Sequence, residues 1–302
     1  MLTLGILFSI FSANSFSNEL LLHFIPSPAG VDWKTPSTLA GSVLLNQVAP
    51  YHGGERHEIG HVYEELTCGD QHLFLGMTTV GNSEERDLIF KEEYGLGILF
   101  HDFQGMMDDP VAAATDIAGM EATGRSNFVR FLISDSTCER LLEYLSEFQA
   151  NHYDQIYAGL NGRPLDRQGS GCSAFAASFL ELSGLQIPEF ESGWMSTYVV
   201  PYKFIGGPIT NARVNYLKIL FSFESRWLAN PDDGYLTNFW DPEKMHAWTA
   251  KLYRDLEQNQ PRDFPWSAKP VMIDHSVGIE FDATNIPTPT GPIFHDPVAT
   301  QQ

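Results

Sequence analysis

Positive charge is scarce in this chain: 18 Lys and Arg stand against 38 Asp and Glu, a formal net charge of −20 over 302 residues. Such a surface repels phosphate backbones and anionic lipid, so no nucleic-acid partner is expected, and basic or neutral substrates suit it better. Cysteine is scarce too. Three residues, Cys68, Cys138 and Cys172, are too few for a disulfide-dense scaffold. Past the first seventeen residues no apolar run approaches the roughly 20 residues that span a bilayer, so no transmembrane segment is expected. No internal repeat is visible. What is plentiful is apolar side chain, 43% hydrophobic and 13% aromatic, enough for a full core and against disorder as a general description.

One of the few cysteines stands in a chemically loaded position. Gly169-Ser-Gly-Cys172-Ser-Ala-Phe-Ala-Ala-Ser-Phe-Leu-Glu-Leu-Ser-Gly184 reads as a flexible loop running into a helix. Phe175, Ala176, Phe179 and Leu180 form one apolar stripe, and Gly184 stops the helix. Cys172 then falls in the first turn, where unpaired N–H groups and the positive end of the dipole stabilise a thiolate, the attacking species. The same N–H groups suit the oxyanion formed when sulfur adds to a carbonyl. A small hydrophobe at a tight helix–sheet contact is the bland alternative, because free cysteine is among the most often buried residue types.

A second segment supplies a base. Arg56-His57-Glu58-Ile59-Gly60-His61-Val62-Tyr63 leads through Cys68-Gly69-Asp70 to Gln71-His72-Leu73-Phe74, which reads as a strand entered through glycine, a turn and a return strand. Together with Gly-Cys172-Ser-Ala-Phe downstream, it resembles the circularly permuted branch of the papain-like NlpC/P60 superfamily. There a Gly-His-Val strand precedes a helix-borne cysteine. The likeness covers roughly residues 56–78 and 165–184. It implies an α+β fold with a papain-like core in permuted order, the His-bearing strands first and the Cys-bearing helix later. It also implies that Cys172 is the nucleophile and His61 the base, with His72, eleven residues after His61, orienting the imidazole. Gln71 is the other possibility for that third position.

His57-Glu58-Ile59-Gly60-His61 also satisfies H-E-x-x-H, the zinc helix of metallopeptidases. On a helix His57 and His61 would share a face as zinc ligands, Glu58 would be general base, and Glu84 or Glu85 the third ligand. Against it, Gly60 would sit between the ligands at a cost of about 1 kcal/mol relative to alanine.

Residues 1–17, a short apolar run closing in small residues, read as a secretory signal, although no Lys or Arg precedes the run. Residues 18–192 are expected to form the catalytic domain, and residues 193–302 an aromatic-rich extension packed on it. Strands are expected at Gly95–Phe100 and Asn127–Ile133, and helices at Leu39–Val48, Ser136–Phe148, Arg213–Trp227 and Pro242–Gln258. Cysteine parity allows a Cys68–Cys138 pair that leaves Cys172 free; otherwise all three stay reduced. Aromatics of the extension would wall a substrate cleft or simply form core. Asp274-His275-Ser276 holds three triad residue types as neighbours, which points them apart, and Asn230-Pro-Asp-Asp-Gly234 lacks the register of a calcium loop.

The expectation is thus an exported, monomeric cysteine hydrolase or acyltransferase acting on a peptide, cell-wall or acyl substrate through a thioester, with no cofactor. Two other classes stay open: a zinc metallopeptidase, and a papain-like domain that only binds.

Overall fold

The computed structural model describes residues 18–51, 53–81, 83–223, 225–260 and 263–295; the expected leader at 1–17 lies outside the described residues. Alternation builds the central sheet. In β1 (Glu19–Ile25), Leu20, Leu22 and Phe24 are fully buried on one face, with His23 and Ile25 on the other. Helix α1 (Pro36–Val48) begins at a capping box in which Thr35 and Thr38 each accept the other's N–H. β2 (His61–Cys68) and β3 (Gln71–Leu75) form the hairpin expected around Gly69-Asp70. β4 (Met77–Thr79), α2 (Ser83–Phe90), β5 (Phe103–Met107) and α3 (Pro110–Thr123) follow, the last capped by Asp109.

β6 (Asn127–Leu132) leads to α4 (Asp135–Ala150), capped by Ser134, and a two-residue β7 (Ile156–Tyr157) precedes α5 (Cys172–Leu182). The remainder comprises α6 (Pro188–Trp194), β8 (Met195–Pro201), α7 (Tyr216–Leu220), β9 (Gly234–Trp240), α8 (Pro242–Glu257), β10 (Ser267–Ile273) and β11 (Ser276–Asp282).

The main sheet runs β10-β11-β6-β1-β2-β3, antiparallel except where β11 meets β6. Its apolar face carries α4, α5 and α8: Leu20, Phe24, Val62 and Leu66 share a core with Leu141, Tyr144, Phe175, Phe179 and Met245. Its other face is partly covered by α3, where Ile117 and Met120 pack on Ile25 and Tyr63. The fold is α+β, and among the described residues no helix is long and apolar enough to cross a membrane. Cys68, the last residue of β2, is disulfide-bonded to Cys138 of α4, and Cys172 is free.

Three expectations change. The sheet crosses the boundary drawn at 192/193, because β10 and β11 pair into it beside β6 and α8 packs on it. Gly95–Phe100 is not a strand: Gly95 has φ 54 and presses on the Phe204 carbonyl and Val214, where no side chain fits, and Leu96–Phe100 coils into a 3₁₀ turn. Among the described residues of 213–227 the helix is the five-residue α7, started late by the Asn215 side chain and ended at Phe221; Leu217, Phe221 and Phe223 point to solvent, so no buried stripe extends it.

Candidate active site

Cys172 is held by its loop before and its helix after. The Ser170 N–H donates to Ile156 O at 3.0 Å, tying the loop to β7. Gly169 sits at φ 73 where any Cβ would collide with Ile156, so only glycine lets the chain pass. Gly171 is extended and provides no side-chain cap, which leaves first-turn N–H groups of α5 for other partners. Downstream, Phe175, Ala176, Phe179 and Leu180 are fully buried and anchor the helix, while Ser173 Oγ donates to Trp240 O at 2.7 Å.

His61 opens β2. Gly60, at φ 80, turns the chain into the strand, and His61 pairs with Ile25 of β1. On the other side β3 stops at Leu75, opposite Glu64, so the leading end of β2 is left open there. Asp108, between β5 and α3, fills that side: its N–H donates to Gly76 O at 3.0 Å, and its Oδ2 lies 3.4 Å from His61 Nε2. A Cβ on Gly76 would strike both Asp108 Oδ2 and the Tyr63 ring. The imidazole is further fixed by His57, stacked on it at 4.4 Å and 8°, and by Tyr63 edge-on at 4.3 Å. His57 is itself held by Asp116 Oδ2 at 2.8 Å, which also accepts from Tyr63 Oη at 3.0 Å.

Cys172 and His61 meet at this point, 7% and 6% exposed, and each shifts the other's proton affinity. Burial pushes the thiol up, but the His61 charge and hydrogen bonding from His61, the Val62 N–H and Tyr157 outweigh it, and the net shift is down. For His61, burial pulls down while the Cys172 thiolate and the Asp108 carboxylate push up, to about 10. Both directions favour a thiolate–imidazolium pair at neutral pH. His57 is lowered, first by burial and then by the His61 charge, so it stacks as a neutral ring.

Tyr157 Oη donates to Cys172 Sγ at 3.9 Å, and burial beside the thiolate holds the phenol protonated. It can therefore serve as a donor. Glu64, fully buried on the β2 face toward α5, is raised well above its ordinary carboxyl value, first by burial, which favours the neutral acid. An unpartnered buried carboxyl costs about 1–3 kcal/mol.

The third position is a correction. His72 lies opposite Thr67, six residues along β2 from His61 and about 20 Å away at strand spacing, and it holds Glu65 Oε1 at 2.6 Å. Gln71, opposite Cys68, is farther still. The hairpin turns too late for either to reach His61. The carboxylate beside that ring is Asp108, which no motif marks; Tyr157 is equally unmarked, its one local sign being nearness to the Gly-rich loop.

The zinc arrangement is also altered. His57 and His61 are together, but as stacked rings around a turn at Glu58-Ile59, because Gly60 at φ 80 cannot continue a helix. Glu84 approaches His101 instead, at 3.6 Å. Among the described residues no group of three or more His, Cys, Asp or Glu side chains is arranged to hold a metal.

Of the aromatic extension, Trp194 is fully buried core. Tyr198 stacks on Trp33 at 5.2 Å, and the two line an open cavity of about 510 Å³ with Asp32 and Lys34, which Cys172 does not border. Asp274-His275 forms the β10–β11 turn and Asn230–Asp233 a 3₁₀ turn capped by Asn230.

No protein-family model, curated protein or solved structure matches this chain. The functional reading therefore stands on the residues and their geometry.

Proposed function

We propose that this chain is a cysteine hydrolase or acyltransferase of permuted NlpC/P60-like kind, with Cys172 as nucleophile, His61 as acid and base, and Asp108 orienting His61. The observation that carries the reading is the buried pairing of a helix-N-terminal thiol with an imidazole, each displaced toward its charged form. The thiolate adds to an amide or ester carbonyl carbon, and the electron pair of the C=O bond moves to oxygen. The Tyr157 hydroxyl and free N–H groups of α5 are suitable donors to that oxyanion. Collapse expels the amine or alcohol, which takes its proton from His61 Nε2 or Nδ1, and leaves a thioester on Cys172. Water or an amine, deprotonated by the now neutral His61, then attacks the thioester and the sulfur leaves as thiolate.

The substrate classes that fit are a cell-wall peptide, another peptide amide or a lipid acyl group, taken up by a monomeric protein. Export is supported by the Cys68–Cys138 disulfide, which persists in oxidising compartments, together with the leader-like residues 1–17.

Iodoacetamide mapping by mass spectrometry tests the reading. Cys172 is expected to alkylate at neutral pH at a rate set by a depressed thiol pKa, and a p-nitrophenyl ester is expected to leave an acyl group on Cys172. Slow labelling typical of an ordinary thiol, with no acyl adduct, would point to a binding domain instead.

A further inference from the structure

Val62, Glu64 and Leu66 share the β2 face that packs on α5, and all three are fully buried. The flanking two are apolar, and a leucine would complete the row. Glu64 instead brings a carboxyl into the core, with neither oxygen hydrogen-bonded to another of the described residues. Buried polar groups without partners are rare and destabilising, and they persist mainly where function requires them. The charged and titratable groups that act with it come from every neighbouring element: His61 on its own strand, Cys172 on α5, Asp108 after β5 and Tyr144 on α4.

We propose that Glu64 is a positioning residue for the Cys172 thiolate, a buried dipole whose O–H turns toward the negative charge of the sulfur. This rests on the reading of Cys172 and His61 as a reactive pair. Two anions, Cys172 and Asp108, and one cation, His61, act on this carboxyl, and a neutral acid can meet both signs by turning its carbonyl oxygen toward His61 and its O–H toward the sulfur. In a low-dielectric interior such a dipole stabilises an anion far more than the same group in water would. An apolar side chain there would leave the sulfur with less stabilisation and raise its pKa. An ionised Glu64 would add a third negative charge to the cluster, so burial of the neutral acid is part of the device.

The test is the pH dependence of Cys172 alkylation by iodoacetamide in the full-length, disulfide-intact protein, with Glu64→Leu and Glu64→Gln. Glu64→Leu is expected to raise the midpoint by about one pH unit and so to slow labelling about tenfold at pH values below the parent midpoint. Glu64→Gln, which keeps an N–H donor, is expected to stay within about threefold of the parent rate. A merely structural Glu64 would leave the leucine profile on that of the parent; that result, or a glutamine profile displaced as far as leucine's, overturns the proposal. Glu64→Met supplies the same comparison should the leucine variant fail to fold. A parent protein whose Cys172 titrates as an ordinary thiol overturns the reactive pair itself, which separates the two failures.

Discussion

At the leading end of β2, His61 is 6% exposed and meets a carboxylate at 3.4 Å and a thiol; at the trailing end His72, across from Thr67, is half exposed and holds Glu65 at 2.6 Å. The cysteines divide the same way. Cys68 ends the strand in a disulfide to α4, whereas Cys172 faces its start as a free thiol. The shorter histidine–carboxylate contact is the less consequential one, because exposed pairs are worth about 0–1 kcal/mol, while burial beside another titrating group moves proton affinities. Residue type and distance alone would favour the trailing end; solvent access is what separates the two, and it accompanies the shifted proton affinities at the leading end.

The largest effects are expected at the leading end. Cys172→Ala should abolish acyl-adduct formation, and His61→Ala should slow Cys172 alkylation at neutral pH about a hundredfold by removing the cation that lowers the thiol. At the trailing end, replacing Cys68 and Cys138 by alanine should cost about 2–4 kcal/mol in urea unfolding, yet leave the Cys172 alkylation profile in place. If the profile moves with the disulfide, the two ends are coupled and the contrast fails.

Asp108→Asn is expected to reduce esterase turnover about tenfold to a hundredfold while leaving the stability of the fold within about 1 kcal/mol. Its sharper signature is in pH. His61, raised to about 10, contributes stability that is complete below its ordinary 6.5 and lost as pH rises toward 10. Cys172, lowered from an ordinary value of 9.0, contributes stability that is complete above that value and lost as pH falls through its lowered pKa. The two offset between 6.5 and 9.0, so the pair's share of stability should be flat across that window and fall on both sides of it, whereas alkylation, which follows the thiolate, should be flat across it and fall only on its acid side. Asp108→Asn should bring the alkaline loss to lower pH, because one of the charges raising His61 is gone. The smallest effect is predicted for His72→Ala, with turnover and labelling within about twofold of the parent; a larger loss would return the orienting role to the hairpin.

The residues legible beforehand are those whose roles are set by near neighbours. Cys172 is marked by Gly169 and Gly171 before an apolar helical stripe, and His61 by Gly60 before a strand, so local backbone chemistry places both at the mouth of an element. Asp108 and Tyr157 carry no such mark. Asp108 stands beside Asp109, whose cap on α3 is the locally readable role, and reaches His61 only because β3 ends early and Gly76 leaves room. His72 misled because spacing from His61 was counted without the length of β2: eight residues of strand carry the turn far from the imidazole. The boundary at 192/193 misled for a related reason, since β10 and β11 return to the sheet beside β6 from the far end of the chain.

By itself the sequence determined an acidic, cysteine-poor α+β chain with a thiol at a helix start and a histidine at a strand start, because glycine conformations, helical periodicity and strand alternation act over a few residues. Only the tertiary structure decided which carboxylate backs the histidine, which tyrosine reaches the sulfur and which acid is buried in the core behind them. Those choices depend on sheet order and register, which bring residues distant along the chain into one low-dielectric pocket and have no local signature.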